Sequence, residues 1–246
     1  MITYLAEIAG KDSIAAIHKF IGEKNNIDLI IPTIVYTGTE YGNVESYYNS
    51  IEYISRYGHE HNITVGKPIE LHDEKLWNLL CIRFQHQLHN KYGFYTPCVM
   101  CHLFTHLLRI PILYKNNAVG IITGERGSHN GKLKMNQYPI TIECFNMLFK
   151  KYNIFFKRPL FDIDNTDIIN NEIKDYAYLA SINDVKCILS GNLTDYPYQK
   201  NDALYQLTKF LDEYVFKLGD YILECYSVNK DINYDELESI IKRSFE

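Results

Sequence analysis

The stretch YLAEIAGKDSIAAI, residues 4–17, decides the fold. An apolar run, read as a strand over 2–9, stops at Ala9-Gly10-Lys11-Asp12-Ser13. A helical pattern follows at once, with Ile14, Ile17, His18 and Ile21 on related faces of a helix over 12–25. A strand that turns into a helix this abruptly leaves the first helical N–H groups without intrahelical acceptors, at the positive end of the helix dipole. Two readings compete for the turn. In one, Asp12 caps the helix and Gly10 only makes the bend. In the other the turn is a phosphate site: Gly10 admits close backbone approach, Lys11 brings positive charge, Ser13 a hydroxyl, and Asp12 a carboxylate for a magnesium ion.

The alternation continues along the chain. DLIIPTIVYT, 28–37, is a β-branched run bounded by Thr37-Gly38 and reads as a buried strand. A helix is expected over 44–60, a strand over 62–71, a helix over 74–90 and a short buried strand, VGIIT, over 119–123. Helices over 138–152 and 166–181, a strand and turn over 184–192, and helices over 201–217 and 234–245 complete the pattern. Strands alternating with helices predict an α/β fold with a parallel sheet covered on both faces. The domain division is 1–195 for that sheet and 196–246 for a helical C-terminal extension packed on it. Ligands of such sheets bind beyond the carboxyl ends of the strands, so the turns to inspect are 9–13, 37–43, 124–137 and 190–197.

Composition narrows the class. The chain has 246 residues, 46% hydrophobic and 22% charged, the profile of a globular domain. No apolar run approaches a membrane span and no secretory signal opens the chain, so a cytoplasmic protein without a membrane partner is expected. Net charge is −5 but uneven. Residues 126–158 carry seven Lys or Arg against Glu143 alone, and residues 159–246 carry 17 acids against 8 bases. A polyanion would therefore find a basic segment only in the middle of the chain.

Six cysteines occur, and only Cys98 and Cys101 form a close pair. In YTPCVMCHLFTHLLRI, 95–110, they open an apolar helix, where two thiols at this spacing can hold a metal, an iron–sulfur cluster or each other. A helix start also favours the thiolate. His102 and His106 follow at i, i+4, so zinc on two cysteines and a histidine is a further option. Cys187 lies in VKCILSGN, at the same sheet edge as the candidate turns. Cys81, Cys144 and Cys225 sit in apolar contexts and read as core residues.

IAGKDSIAAI resembles the Ser-Gly-Gly-x-Asp-Ser loop of the PP-loop ATP pyrophosphatases, the adenine nucleotide alpha hydrolase-like family. Gly10, Lys11, Asp12 and Ser13 match; Ile8 stands for the family's serine and Ala9 for its first glycine. The order of phosphate loop, Cys-x-x-Cys and a late lone cysteine resembles the iron–sulfur-dependent tRNA thiolases that make 2-thiocytidine or 2-thiouridine-type bases. RPLFDIDNTDI, 158–168, is similar to that branch's Arg-Pro-Leu stretch. The resemblance implies a Rossmann-like sheet, with ATP phosphates held at Ala9, Gly10, Lys11, Asp12 and Ser13. It places adenine against Val35, Tyr36 and Thr37, and a further loop at Gly124, Glu125 and Arg126. It also implies a 4Fe-4S cluster on Cys98, Cys101 and Cys187.

The expected reaction is adenylation of a nucleobase-like carbonyl with release of pyrophosphate, then replacement of oxygen by sulfur. Lys11 and Arg126 would stabilise charge, Asp12 would organise Mg2+ or water, and Cys187 has an alternative role as a persulfide. Glu40, Lys134, Asn136 and Gln137 are further polar residues facing the expected cleft. The expected partners are ATP, a nucleobase-like or other small carbonyl substrate, tRNA through residues 126–158, and a second copy of the chain. Two alternatives stay open: a PP-loop ligase or amidotransferase with Zn2+ at the Cys-x-x-Cys pair, and a nucleotide-binding regulatory module without turnover.

Overall fold

In the computed structural model, strand β1 (Thr3–Glu7) lies between β2 (Leu29–Tyr36) and β6 (Gly120–Ile122), parallel to both. The structure describes residues 1–23, 26–94, 97–174, 176, 185–189, 193–194 and 201–245. Beyond β2 the sheet continues with β4 (Thr64–Val65) and β5 (Ile69–His72), and beyond β6 with β8 (Phe156–Lys157). All of these pairings are parallel, which gives the Rossmann-like α/β sheet.

Side-chain parity divides each strand between two cores, because successive residues of a strand face opposite sides. Leu5, Ile31, Val35 and Ile121 face one core; Ala6, Ile30, Ile34 and Ile122 face the other. The second core is closed by α1 (Lys11–Gly22), α2 (Glu45–Glu60) and α7 (Thr166–Glu172). The first is closed by α3 (Glu74–Trp77), α4 (Gln85–Tyr92), α5 (Pro97–Lys115) and α6 (Pro139–Lys150), with three C-terminal helices. Those are α8 (Asn201–Phe210), α9 (Phe216–Ser227) and α10 (Tyr234–Arg243). Leu207, Leu218, Ile222 and Leu237 therefore share one core with Leu5 of the central strand. The division at 195/196 falls outside the described residues.

Proline explains why the strand expected over 62–71 is two strands. Thr33 O accepts from Ile8 N and Ile30 O accepts from Gly66 N, so Pro32 turns its nitrogen toward β4 and β5. A proline has no donor for that ladder. β4 pairs with Leu29 and Ile30, β5 with Thr33 to Tyr36, and the break falls opposite Pro32. The helix expected over 74–90 is likewise divided by a π-turn at Asn78–Ile82. A second π-turn, Leu211–Val215, joins α8 to α9 and carries the helix expected over 201–217 on to Ser227.

Among the described helices, α5 alone is long and apolar enough to cross a membrane by length and composition. That corrects the expectation that no run approaches such a length. Here α5 is the middle helix of the larger core, with ten of its 19 residues buried, Arg109 and His106 among them.

Two short antiparallel ladders bring the late chain to the sheet's carboxyl edge. β9 (Lys186–Cys187) pairs with β3 (Glu40–Tyr41), placing Cys187 opposite Glu40. β10 (Leu193–Thr194) pairs with β7 (Leu133–Lys134).

Candidate functional site

The sheet grows from β1 through β2 to one side and through β6 to the other, so the β1/β6 boundary is its topological switch point. A cavity of about 640 Å³ opens there, at the carboxyl ends of the two strands, lined by the turn 9–13 and by the loop that follows β6. Ser13 Oγ accepts from Ala9 N at 3.0 Å and Gly10 N at 3.2 Å and donates to Gly10 O at 2.7 Å, which ties the turn to the helix. The N–H groups of Lys11, Asp12 and Ser13 belong to the first turn of α1 and have no intrahelical acceptors. Gly124 lies against this turn. A β-carbon there would stand 2.4 Å from Ser13 N and 2.7 Å from the Asp12 carbonyl carbon. Only glycine lets the two loops meet.

The side chains around the cavity are fixed from behind. Lys11 Nζ donates to Asn170 Oδ1 of α7 at 2.9 Å. Arg126, 2% exposed, donates to the carbonyls of Ile163 and Asp164 and to Thr166 Oγ1, while its guanidinium stands 3.7 Å from Asp12 Oδ2. It is a brace for Asp12 as much as a surface for anions. His129 completes this wall: its Nε2 bonds Gln137 Oε1 at 2.6 Å and its Nδ1 lies 3.9 Å from Asp12 Oδ2. Burial pushes the His129 pKa down.

A second cavity, about 330 Å³, holds Cys98, Cys101 and Cys187 on its walls. Cys98 and Cys101 come from the first turns of α5 and Cys187 from β9. Leu189 links two of them, its N–H donating to Cys187 Sγ at 3.3 Å and its carbonyl accepting from Cys98 Sγ at 3.8 Å. Thr39 Oγ1 lies 3.1 Å from Cys187 Sγ. Two neighbours serve Cys101: Trp77 Nε1, at the end of α3, donates to its sulfur at 3.5 Å, and the thiol of Cys81, in the π-turn that follows, also hydrogen-bonds it. The Cys81 hydrogen bond is the main reason the Cys101 pKa lies below the usual thiol value. Burial pushes the Cys81 thiol well up, so Cys81 is the donor of the pair.

The two cavities share Glu7, Ala9, His102, Lys134 and Gln137. Burial lowers the pKa of Lys134, which stands on the common wall. Beneath it runs a buried charged network. Glu7 faces Arg109 NH2 at 3.5 Å, and Arg109 also donates to Thr33 Oγ1 at 2.9 Å and Thr105 O at 2.6 Å. Glu125, 1% exposed, meets Arg158 Nε and Thr123 Oγ1 with one oxygen. Its other oxygen lies 3.2 Å from both His102 Nδ1 and His106 Nε2. Burial alone would raise the Glu125 pKa, but Arg158 and the histidines hold it well below the usual carboxylate value. Burial lowers His106 to about 4, whereas for His102 the pull of Glu125 overcomes burial and the net shift is upward.

The structure thus gathers Ala9, Gly10, Lys11, Asp12, Ser13, Gly124, Glu125 and Arg126 around one cavity. It places Val35 and Thr37 with the three cysteines around the other. Tyr36 does not join them. By strand parity it faces α2, where its ring packs 6.1 Å from that of Tyr47. Glu125 lines the first cavity with both carboxylate oxygens engaged by buried partners. Glu40 turns its carboxylate onto Thr37 N, Thr37 Oγ1 and Gly38 N, closing its own turn. Part of the basic segment 126–158 is consumed internally: Arg126 and Lys134 line the cavity, Arg158 pairs with Glu125, and Lys151 with Asp220 at 2.6 Å. Gly191 and the rest of the turn expected over 190–197 lie outside the described residues, apart from Leu193 and Thr194.

Glu7, Arg109 and His129 were not singled out by the sequence reading. Their signals were present: an acid ending an apolar strand, an arginine inside an apolar helix, and a histidine within TGERGSHNGK.

No family model matches the chain. The chain is 30% identical over 222 residues to the Uncharacterized protein MJ0009 of Methanocaldococcus jannaschii, a match covering 89% of this chain and 79% of that protein.

Proposed function

We propose that this chain, which belongs to the family of the Methanocaldococcus jannaschii protein MJ0009, is an ATP-dependent sulfur-handling enzyme that acts on a nucleobase-like carbonyl. The observation that carries the reading is the common wall: a phosphate-type turn and three cysteine sulfurs open into adjoining cavities that share Glu7, His102, Lys134 and Gln137. An enzyme that activates an oxygen with AMP and then replaces it by sulfur needs those two functions side by side.

The first-turn N–H groups of α1 and the charge of Lys11 would receive phosphate oxygens. Asp12, braced by Arg126 and His129, is the carboxylate for Mg2+. Val35 and Thr37 bound the neighbouring cavity, where the adenosine or the acceptor base would lie. Transfer of AMP to the carbonyl oxygen expels pyrophosphate and makes that oxygen a leaving group. Negative charge develops on the pyrophosphate during this step, and oriented N–H donors and Lys134 would stabilise it. Attack of sulfur on the adenylated carbon then expels AMP.

Cys98, Cys101 and Cys187 have the donor chemistry for a 4Fe-4S cluster, a soft thiolate set facing one cavity. Such a cluster would supply a site for sulfide. Hydrogen bonds from Trp77 and Cys81 lower the Cys101 pKa and so favour its thiolate form. None of the six cysteines is in a disulfide, which suits a reducing, cytoplasmic setting. The neutralised basic side chains favour a small acceptor or a single base inserted into the cavity over a long tRNA contact along residues 126–158.

The test is release of pyrophosphate from ATP, with iron and acid-labile sulfide measured on protein purified without oxygen. Pyrophosphate formation that depends on a nucleobase acceptor, with a visible chromophore lost in Cys98→Ala, supports the reading. A colourless protein with zinc at the cysteines replaces it by the amide-forming ligase. ATP binding without pyrophosphate release replaces it by the regulatory module.

A further inference from the structure

We propose that His102, His106 and Glu125 form a second, separate site, which binds one divalent transition metal of the zinc type at the floor of the two cavities. The proposal stands independently of the nucleotide and cysteine reading.

Geometry supports it first. His102 and His106 lie at i, i+4 on α5 and so project from one face of the helix. His102 Nδ1 and His106 Nε2 each lie 3.2 Å from the same Glu125 oxygen, and the three atoms are all within 4.8 Å of one another. Bonds of about 2.0–2.1 Å in a tetrahedral site put neighbouring ligand atoms roughly 3.3–3.4 Å apart. The two edges to Glu125 match that spacing, and the His102–His106 edge, up to 4.8 Å, has to shorten for both imidazoles to bind one ion.

The second support is an orphaned atom. His102 Nδ1 is buried, yet it has no hydrogen-bond partner despite its closeness to Glu125. His106 Nε2 does hydrogen-bond that oxygen at 3.2 Å, and the ion would take the place of this shared proton. The carboxylate is also held from outside the set, as ligating carboxylates commonly are. Thr123 Oγ1 at 3.1 Å and Arg158 Nε both take Oε2, which leaves Oε1 to the histidines.

Two imidazoles and one carboxylate suit zinc, cobalt or nickel rather than calcium or magnesium. Three protein ligands leave one position open, as in catalytic rather than structural zinc sites. That position faces the cavities, since His102 and Glu125 line the first and His102 the second. Glu7 and Glu125 are already offset by Arg109 and Arg158, so the ion's charge would call for an anion as fourth ligand. The substrate class is therefore an anionic oxygen or sulfur group entering from the cavity.

The probe is Co2+ added to chelator-treated protein in which Cys98, Cys101 and Cys187 are all serine. This variant removes thiolate ligands and any iron chromophore. The expected result is one Co2+ per chain, with ligand-field bands of low coordination number and no thiolate charge-transfer band. His102→Gln in the same background should weaken Co2+ binding by more than the roughly 10- to 100-fold that an outer-shell change costs. Because His102 is partly exposed, that variant keeps the buried partners of Glu125, and circular dichroism checks its fold. No Co2+ uptake by the folded triple-serine variant would overturn the proposal. So would uptake that His102→Gln leaves unchanged.

Discussion

Gly124 and Ser13 are in backbone contact: a β-carbon on Gly124 would stand 2.4 Å from the Ser13 nitrogen. The loop after β6 therefore closes onto the turn after β1, and one cavity wall consists of backbone. Gly124→Ala must push the two loops apart, because the obstacle is main chain and not a side-chain tip. We predict a loss of ATP affinity of roughly tenfold or more, about 1.4 kcal/mol, by isothermal titration. Unchanged affinity in a folded variant would remove the turn from the nucleotide site.

Arg109→Met leaves Glu7 facing the core without its cation. Breaking a buried pair on one side costs about 3–5 kcal/mol, whereas replacing both partners is far cheaper. Urea unfolding should show that loss for the single variant, with partial recovery in Arg109→Met combined with Glu7→Gln. Equal losses in the two variants would mean that Arg109 acts by packing alone.

His106 gives a pH dependence in the metal-free protein. Burial lowers its pKa to about 4, against 6.5 for an imidazole in water. Between those values the unfolded chain binds the proton and the folded chain does not, so stability falls as pH drops below 6.5. By pH 5 the expected loss is about 2 kcal/mol. His106→Gln should flatten this part of the curve, measured by urea melts from pH 7 to pH 5. A slope identical to wild type would assign the effect to other groups.

Cys81→Ala removes the thiol donor that lowers the Cys101 pKa. Alkylation of Cys101 by iodoacetamide near neutral pH, followed by peptide mass spectrometry, should slow in this variant. The pH at which Cys101 reacts at half its maximal rate should rise. If neither changes, Trp77 is sufficient to set the thiolate.

The parallel sheet was legible because runs such as Leu29–Tyr36 are apolar throughout and alternate with helical periods. The first turn was legible because strand and helix meet there with Gly10, Lys11 and Asp12 between them. The strand order was not, since periodicity records which way side chains face and says nothing of which strand lies alongside. The break between β4 and β5 falls at Gly66-Lys67-Pro68, a signal within the expected strand itself, while the second proline, Pro32, is placed beside it only by the pairing. Cys81 looked like a core residue and is one by burial, but the π-turn at Asn78–Ile82 sets it beside Cys101. Glu125 was expected beside the nucleotide from the resemblance of its loop to that of the PP-loop family. Its partners, His102, His106 and Arg158, lie on other elements and meet it only once α5 and β8 flank β6.

The three sulfurs are not anchored alike. Cys98 and Cys101 ride on the helix at the middle of the larger core, while Cys187 hangs on a two-residue ladder against Glu40 and Tyr41. Parting that ladder sacrifices few hydrogen bonds and little apolar burial, so its opening free energy is a small fraction of that of the whole sheet. The third thiol is therefore the least firmly held of the three: loss of the β3–β9 pairing would take Cys187 out of the cavity wall while Cys98 and Cys101 stayed in place on α5.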